Sequence, residues 1–269
     1  MNTKNNLYRL DKKHLKGSLY LLNKRVGLGN LMKILGMNKN PIIIGGCGRS
    51  GTTLMLSLMS VFDHVFTIPV ETGAFCKSSY TENPDKKENI NIYKIYDYIL
   101  SIDKLNSISR WCEKTPKNVQ RINEIINYFG NDVKIINMVR DGRDVITSVH
   151  PTKDNAYWVS KERWVSDVEA GYKYEKSDKV ITVRYEDLIT DFEKELKKIC
   201  LFIGESYTSE FSNYPNSARL KTNIAWFGKA QKIHNNSIKR WKEPEFQSRI
   251  EDLMKDDKAV SFLKHYKYI

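Results

Sequence analysis

The chain has 269 residues, enough to bury a full α/β core as a single domain with appendages. Lys and Arg total 44 against 32 acidic residues, a formal charge of +12 that attracts polyanions or acidic substrates, although the lysines are scattered rather than blocked and codon bias produces the same drift. No run reaches the roughly 18 apolar residues of a membrane span, and the basic N-terminus leads into a broken apolar stretch rather than a signal peptide, so a soluble, cytoplasmic protein is expected.

Residues 1–40 set Leu7, Leu10, Leu15, Leu19, Leu22, Leu28, Leu31 and Leu35 among lysines and asparagines, with helical spacing broken at Gly17, Gly27 and Gly29. This predicts an N-terminal extension of short helices, packed on the α/β domain of residues 41–269 or on a partner rather than lying on a membrane surface. The β-branched run Ile42 to Ile44 predicts a strand buried on both faces. It breaks into a loop where Gly45, Gly46, Gly48 and Gly51 permit positive φ, and Thr52 to Phe62 predicts a covered helix. Val65 to Val70 predicts a second strand, residues 81–90 with Pro84 an exposed excursion, and Ile92, Ile95, Tyr96 and Ile99 the core face of a helix.

Ser109 to Asn118 reads as a strand that turns at Pro116, and Val119 to Phe129 as a helix stopped at Gly130. Val133 to Val139 is a strong strand delivering Arg140-Asp141-Gly142-Arg143-Asp144, with Asp144 the expected N-cap of a helix through Ser148. Tyr157 to Tyr174 predicts a helix, Val180 to Val183 a strand, and the stretch after Arg184-Tyr185-Glu186-Asp187-Leu188 a helix to about Phe202. Residues 205–240 read as irregular and basic, and the last thirty as helical. Strands separated by helices imply an α/β, P-loop-like three-layer fold with a central, mainly parallel sheet and ligands at the carboxyl ends of its strands.

The four cysteines, Cys47, Cys76, Cys112 and Cys200, form no C-x-x-C pair and have no histidine at a metal-ligand spacing, so no zinc site and reduced thiols are expected, with a Cys76 to Cys112 bridge left open. The chemistry lies elsewhere. A glycine loop between strand and helix aims backbone N–H groups and the positive end of a helix dipole at one spot, which favours an anion. Gly46 and Gly51 match the spacing of G-x-x-x-x-G-K-[ST], but Thr52 stands where that motif has lysine, and Arg49 sits inside the loop instead. A nucleotide kinase or triphosphatase with an altered P-loop is therefore the rival enzyme reading, and a basic nucleic-acid binder the rival of another class. Nothing resembles a recognition helix or an RNA-binding sheet, so no nucleic-acid partner is expected. Three loops, Gly45 to Thr53, Arg140 to Asp144 and Arg184 to Asp187, leave the same sheet edge, each with an arginine. Two cationic pockets suit a ligand with two phosphate groups, and Ser148, one helical turn past Asp144, is placed to face the same anion as Arg140.

These residues resemble the sulfotransferase family. Gly48-Arg49-Ser50-Gly51-Thr52-Thr53 is similar to the loop that holds the 5′-phosphosulfate of 3′-phosphoadenosine 5′-phosphosulfate, and Arg140 with Ser148 to the pair that holds its 3′-phosphate. Tyr185, in Arg184-Tyr185-Glu186-Asp187-Leu188, matches the contact near the adenine. Lys239 and Arg240, in Asn236 to Lys242, match the basic segment that closes over the donor phosphates, without a choice between them. The pattern is closest to the protein-tyrosine and bacterial carbohydrate branch, which carries arginine in the loop. That resemblance implies Glu71 as general base, the alternative being a solvated loop carboxylate, and Lys114 with Arg49 as stabilisers of the departing charge, the alternative for Lys114 being a surface lysine. It implies the phosphosulfate as co-substrate, no metal, and a hydroxyl acceptor on a sugar, lipid or peptide, with carbohydrate favoured. His64, His150 and His234 read as surface or core histidines, and Trp158 and Trp164 as core residues or walls of the acceptor site.

Overall fold

The computed structural model describes Tyr20, Lys24 and residues 27–38, 40–76, 90–101, 107–150, 156–223 and 228–269. The helices expected before residue 20 and nearly all of the excursion at 81–90 lie outside these residues.

Five strands form the central sheet: β1 (Ile42–Gly46), β2 (Val65–Thr67), β3 (Arg110–Lys114), β4 (Lys134–Val139) and β5 (Val180–Arg184). They lie in the order β2-β3-β1-β4-β5, and every neighbouring pair is parallel. Side chains alternate across the pleat, so both faces of the isoleucine runs are used. Ile43 and Ile135 pack on one side with Ile34, Ile95, Trp111 and Ile125, beneath the helices Leu28–Met37, Tyr93–Leu100 and Ile122–Phe129. Ile42, Ile44 and Ile136 pack on the other with Met55, Leu58, Leu196 and Ile199, beneath Thr52–Met59 and Phe192–Ile203. A third cluster gathers around fully buried Trp164, joining the helices Lys161–Tyr172, Gln247–Met254 and Asp257–His265. Each fully buried Ile or Leu stabilises by about 1.5–3 kcal/mol, which makes the double-sided burial of β1 and β4 the main determinant of the architecture.

The structure corrects several expected boundaries. β2 ends at Thr67; Ile68 still donates to Cys112 O (2.9 Å), and Pro69 has no N–H with which to continue the ladder. The helix expected from Tyr157 starts at Lys161, because the Ser160 side chain accepts from Arg163 N at 3.3 Å and fixes the N-cap there. Asp144 is not an N-cap. Asp141 holds that position, accepting from Arg143 N at 3.0 Å, and the helix spans only Gly142–Ile146. The irregular stretch contains a small antiparallel hairpin, Thr222–Asn223 with Gly228–Lys229. All four cysteines are buried and none forms a disulfide, so Cys76 and Cys112 are not bridged. Among the described residues no helix is long and apolar enough to cross a membrane.

Candidate active site

The strand ends converge on one side of the sheet. Gly46 closes β1 at φ 136°, and a Cβ there would lie 2.3 Å from Met138 O on the neighbouring strand. Gly51 takes φ 88°, with its Cα facing the Tyr185 ring so closely that a Cβ would lie 2.5 Å from Cδ2. Between them Arg49, not a glycine, adopts φ 68°, a left-handed conformation that costs on the order of 1–3 kcal/mol. The first intrahelical bond of the next helix is Met55 N to Gly51 O (3.0 Å), so the N–H groups of Thr52, Thr53 and Leu54 precede it and are available to an anion. Ser50 is fully buried beneath the loop, and its hydroxyl makes no hydrogen bond among the described residues.

Arg140, at the end of β4, reaches back to this loop. Its Nη1 donates to Arg49 O at 2.9 Å, Nη2 donates to Ser237 O, and the guanidinium lies 4.6 Å from the centre of the Tyr185 ring. Tyr185, at the end of β5, shares a 2.7 Å hydrogen bond with Ser237 Oγ. Burial lowers the pKa of Arg49, and the like charges of Arg140 and Arg240 lower it further, so these cations crowd one region in want of negative charge.

At the other end, β3 delivers Lys114, whose buried Nζ donates to Glu71 Oε1 at 2.6 Å; the lysine side chain is 3 % exposed and the carboxylate 45 %. The preceding residue fixes this pair. Glu113 is fully buried and accepts from Thr72 N (3.2 Å), Thr72 Oγ1 (2.9 Å), Thr115 Oγ1 (2.6 Å) and Asn118 Nδ2 (2.7 Å), tying the Glu71 segment to the end of β3. Asn118 Nδ2 also donates to Ile44 O at 3.1 Å, which extends the network to β1. Burial raises the Glu113 pKa, while these donors pull it back.

A cavity of about 440 Å³ lies over the strand ends. Of the residues singled out in the sequence it is lined by Gly48, Arg49, Gly51, Thr52, Thr53, Glu71, Arg140 and Tyr185, which therefore share a single chamber rather than two separate pockets. Lys114 reaches its edge through Glu71. Ser148 is not among the lining residues: its Oγ donates to Asp144 O at 2.8 Å, back into its own turn. Lys239 and Arg240 are exposed and do not line it either, but the charge of Arg240 is felt at Arg49. His234 and Trp158 do line it, and Trp158 lies between His150, stacked at 4.3 Å, and Arg49 at 5.6 Å. Trp164 belongs to the core and donates to Arg140 O at 3.2 Å.

Sequence reasoning missed Lys117, Arg163, Lys229 and Lys232, which also face the cavity. Arg163 lies over Gly48, and its Nε is 3.7 Å from Asp167, a buried carboxylate that accepts from Gln120 at 2.8 Å. The i,i+4 Arg–Asp pair on an otherwise covered helix was the available signal. Among the described residues no cluster of three His, Cys, Asp or Glu side chains could hold a metal ion.

The "Sulfotransferase family" model matches residues 41–209, more than half of the chain. A protein-tyrosine sulfotransferase of Drosophila melanogaster is 24% identical over 211 residues; the match takes in 66% of this chain but only 42% of that relative. The fold is similar to the sulfotransferase domain of the Synechococcus PCC 7002 olefin synthase (TM-score 0.55, 18% identity, 83% of this chain and 94% of that one). It is also similar to a mouse sulfotransferase complexed with PAP (TM-score 0.54, 16% identity, 88% and 94%). With the family model spanning β1 through β5 and the loops they carry, the chain belongs to the sulfotransferase family.

Proposed function

We propose that the protein transfers a sulfuryl group from 3′-phosphoadenosine 5′-phosphosulfate to a hydroxyl acceptor. The observation that carries this reading is the presence in one chamber of the glycine loop, Arg140 and Glu71, the last held by Lys114 at the chamber's edge. The residues fit the donor: unpaired helix N–H groups and Arg49 suit the 5′-phosphosulfate, and Arg140 beside the Tyr185 ring suits a phosphate on an adenosine. Ser148 and Lys239 do not line that cavity and enter the donor site only as neighbours, whereas Arg240 adds positive potential at Arg49. PAP is present in the mouse neighbour named above.

In the transfer itself Glu71 takes the acceptor proton through its second oxygen, Oε1 being engaged by Lys114. The acceptor oxygen–sulfur bond forms as the bond from sulfur to the bridging phosphate oxygen breaks in line, and the bisphosphate leaves. Arg49 and the loop N–H groups meet the charge gathering on that oxygen; Lys114 orients Glu71 and adds positive potential at the sulfuryl group. A sugar hydroxyl is the acceptor favoured from the sequence pattern, and the match to a protein-tyrosine sulfotransferase favours a tyrosyl hydroxyl as the second reading. Incubation with ³⁵S-labelled donor and cell extract, followed by identification of the labelled product, tests the assignment. A thermal shift with ATP and magnesium but none with adenosine 3′,5′-bisphosphate would replace it with the nucleotide kinase reading.

A further inference from the structure

The transfer chemistry has no use for Asp144, yet its side chain is only 1 % exposed and both of its oxygens are engaged from far along the chain. Lys239 N donates to Oδ2 at 2.8 Å and Trp241 N to Oδ1 at 3.1 Å, across separations of 95 and 97 residues. Around this pair of bonds the segment 237–241 is stitched to the site: Ser237 O accepts from Arg140, Ser237 Oγ meets Tyr185 OH, and the Trp241 ring lies 3.9 Å from the Arg143 guanidinium. Lys239 holds φ 64°, a conformation a lysine keeps only when its surroundings impose it.

A carboxylate 4.0 Å from Arg140 weakens the very field a phosphate would use, so its presence works against donor binding unless it does something else. What it does is visible in the two backbone bonds, which are charge-assisted and fix a segment that otherwise has little regular structure of its own. We propose that Asp144 is a positioning residue that anchors the 237–241 strap against Arg140 and Tyr185 in advance of the donor, so that the wall above the bisphosphate is preformed rather than assembled by the ligand. This rests on the donor reading given above. Preformation removes the ordering cost of the strap from the binding step. Asparagine cannot substitute, because its amide offers one acceptor oxygen and turns an N–H₂ toward the second backbone N–H.

Two measurements decide it. Amide hydrogen exchange of the ligand-free wild type should show Lys239 and Trp241 protected; exchange of both at the rate of an open chain overturns the proposal without any variant. Calorimetry with adenosine 3′,5′-bisphosphate on wild type, Asp144→Asn and Asp144→Ala should show affinity weakened about tenfold or more in both variants. In the same variants the 237–241 amides should exchange faster while those of β1 and β4 keep their protection. Binding in Asp144→Asn within about twofold of wild type would overturn the proposal, since each lost charge-assisted bond should register. Failure of the donor reading looks different: wild type then binds no bisphosphate although its strap amides are protected.

Discussion

Lys114 Nζ lies 2.6 Å from Glu71 Oε1, joining a nearly buried ammonium to a half-exposed carboxylate that faces the cavity. The pair connects the end of β3 with the segment after β2, and it leaves one Glu71 oxygen for an acceptor. Glu71→Gln keeps the shape and removes the base. Transfer should fall by about 10²–10⁴-fold, while calorimetry finds bisphosphate affinity nearly unchanged. An equal loss of both would reassign Glu71 to donor binding.

Arg140 is held by the Arg49 and Ser237 carbonyls and lies against the Tyr185 ring, a planar arrangement that an ammonium cannot copy. Arg140→Lys should weaken bisphosphate binding by about tenfold or more, whereas Tyr185→Phe, which loses only the bond to Ser237 Oγ, should cost a few-fold at most. Titration calorimetry separates the two, and equal effects would mean the guanidinium geometry carries no more of the affinity than the ring hydroxyl does.

Gly46 combines φ 136° with Met138 O 2.3 Å from any added Cβ, and neither the backbone conformation nor a strand carbonyl can yield cheaply. Gly46→Ala should lower the unfolding free energy by roughly 3 kcal/mol or more, or prevent folding. Urea denaturation gives the value, and a loss under about 1 kcal/mol would show that β1 and β4 can part at their ends.

Glu113 carries a pH signature. Burial raises its pKa above the ordinary 4.5, so its contribution to stability is fully present below that value and is lost as pH climbs through the raised one. The stability difference between wild type and Glu113→Gln should therefore shift against wild type as pH rises from about 4.5 through the raised pKa. Urea midpoints across that range check it; a difference independent of pH would mean that the four donors fully offset the desolvation.

The two central strands were readable because residues 42–44 in β1 and 135–139 in β4, the latter broken only by Asn137, are dense apolar runs of the kind produced by burial on both faces. The loop after β1 was readable for a similar reason, since glycine spacing is local. Asp144 was misjudged because two aspartates, at 141 and 144, both satisfy the local rule for an N-cap, and only the distant backbone at 239 and 241 distinguishes them. Ser148 was placed by helical periodicity, but a helix that ends at Ile146 leaves its hydroxyl bonded to the preceding turn. Lys229, at the end of the small hairpin, and Lys232, just beyond it, come to the cavity through tertiary packing that no short motif announces, whereas Arg163 left only its i,i+4 spacing to Asp167 as a signal.

The order of the sheet also sets a timetable for the newborn chain. Among the described strands β1 comes first in the chain, yet its sheet neighbours pair with it only from Cys112 and Lys134 onward. At synthesis rates of about 5–20 residues per second, the Ile42–Ile44 segment stays without its partners for several seconds. Its edge thus stays unpaired over that interval, and folding slower than that of a local-contact fold is expected from the topology.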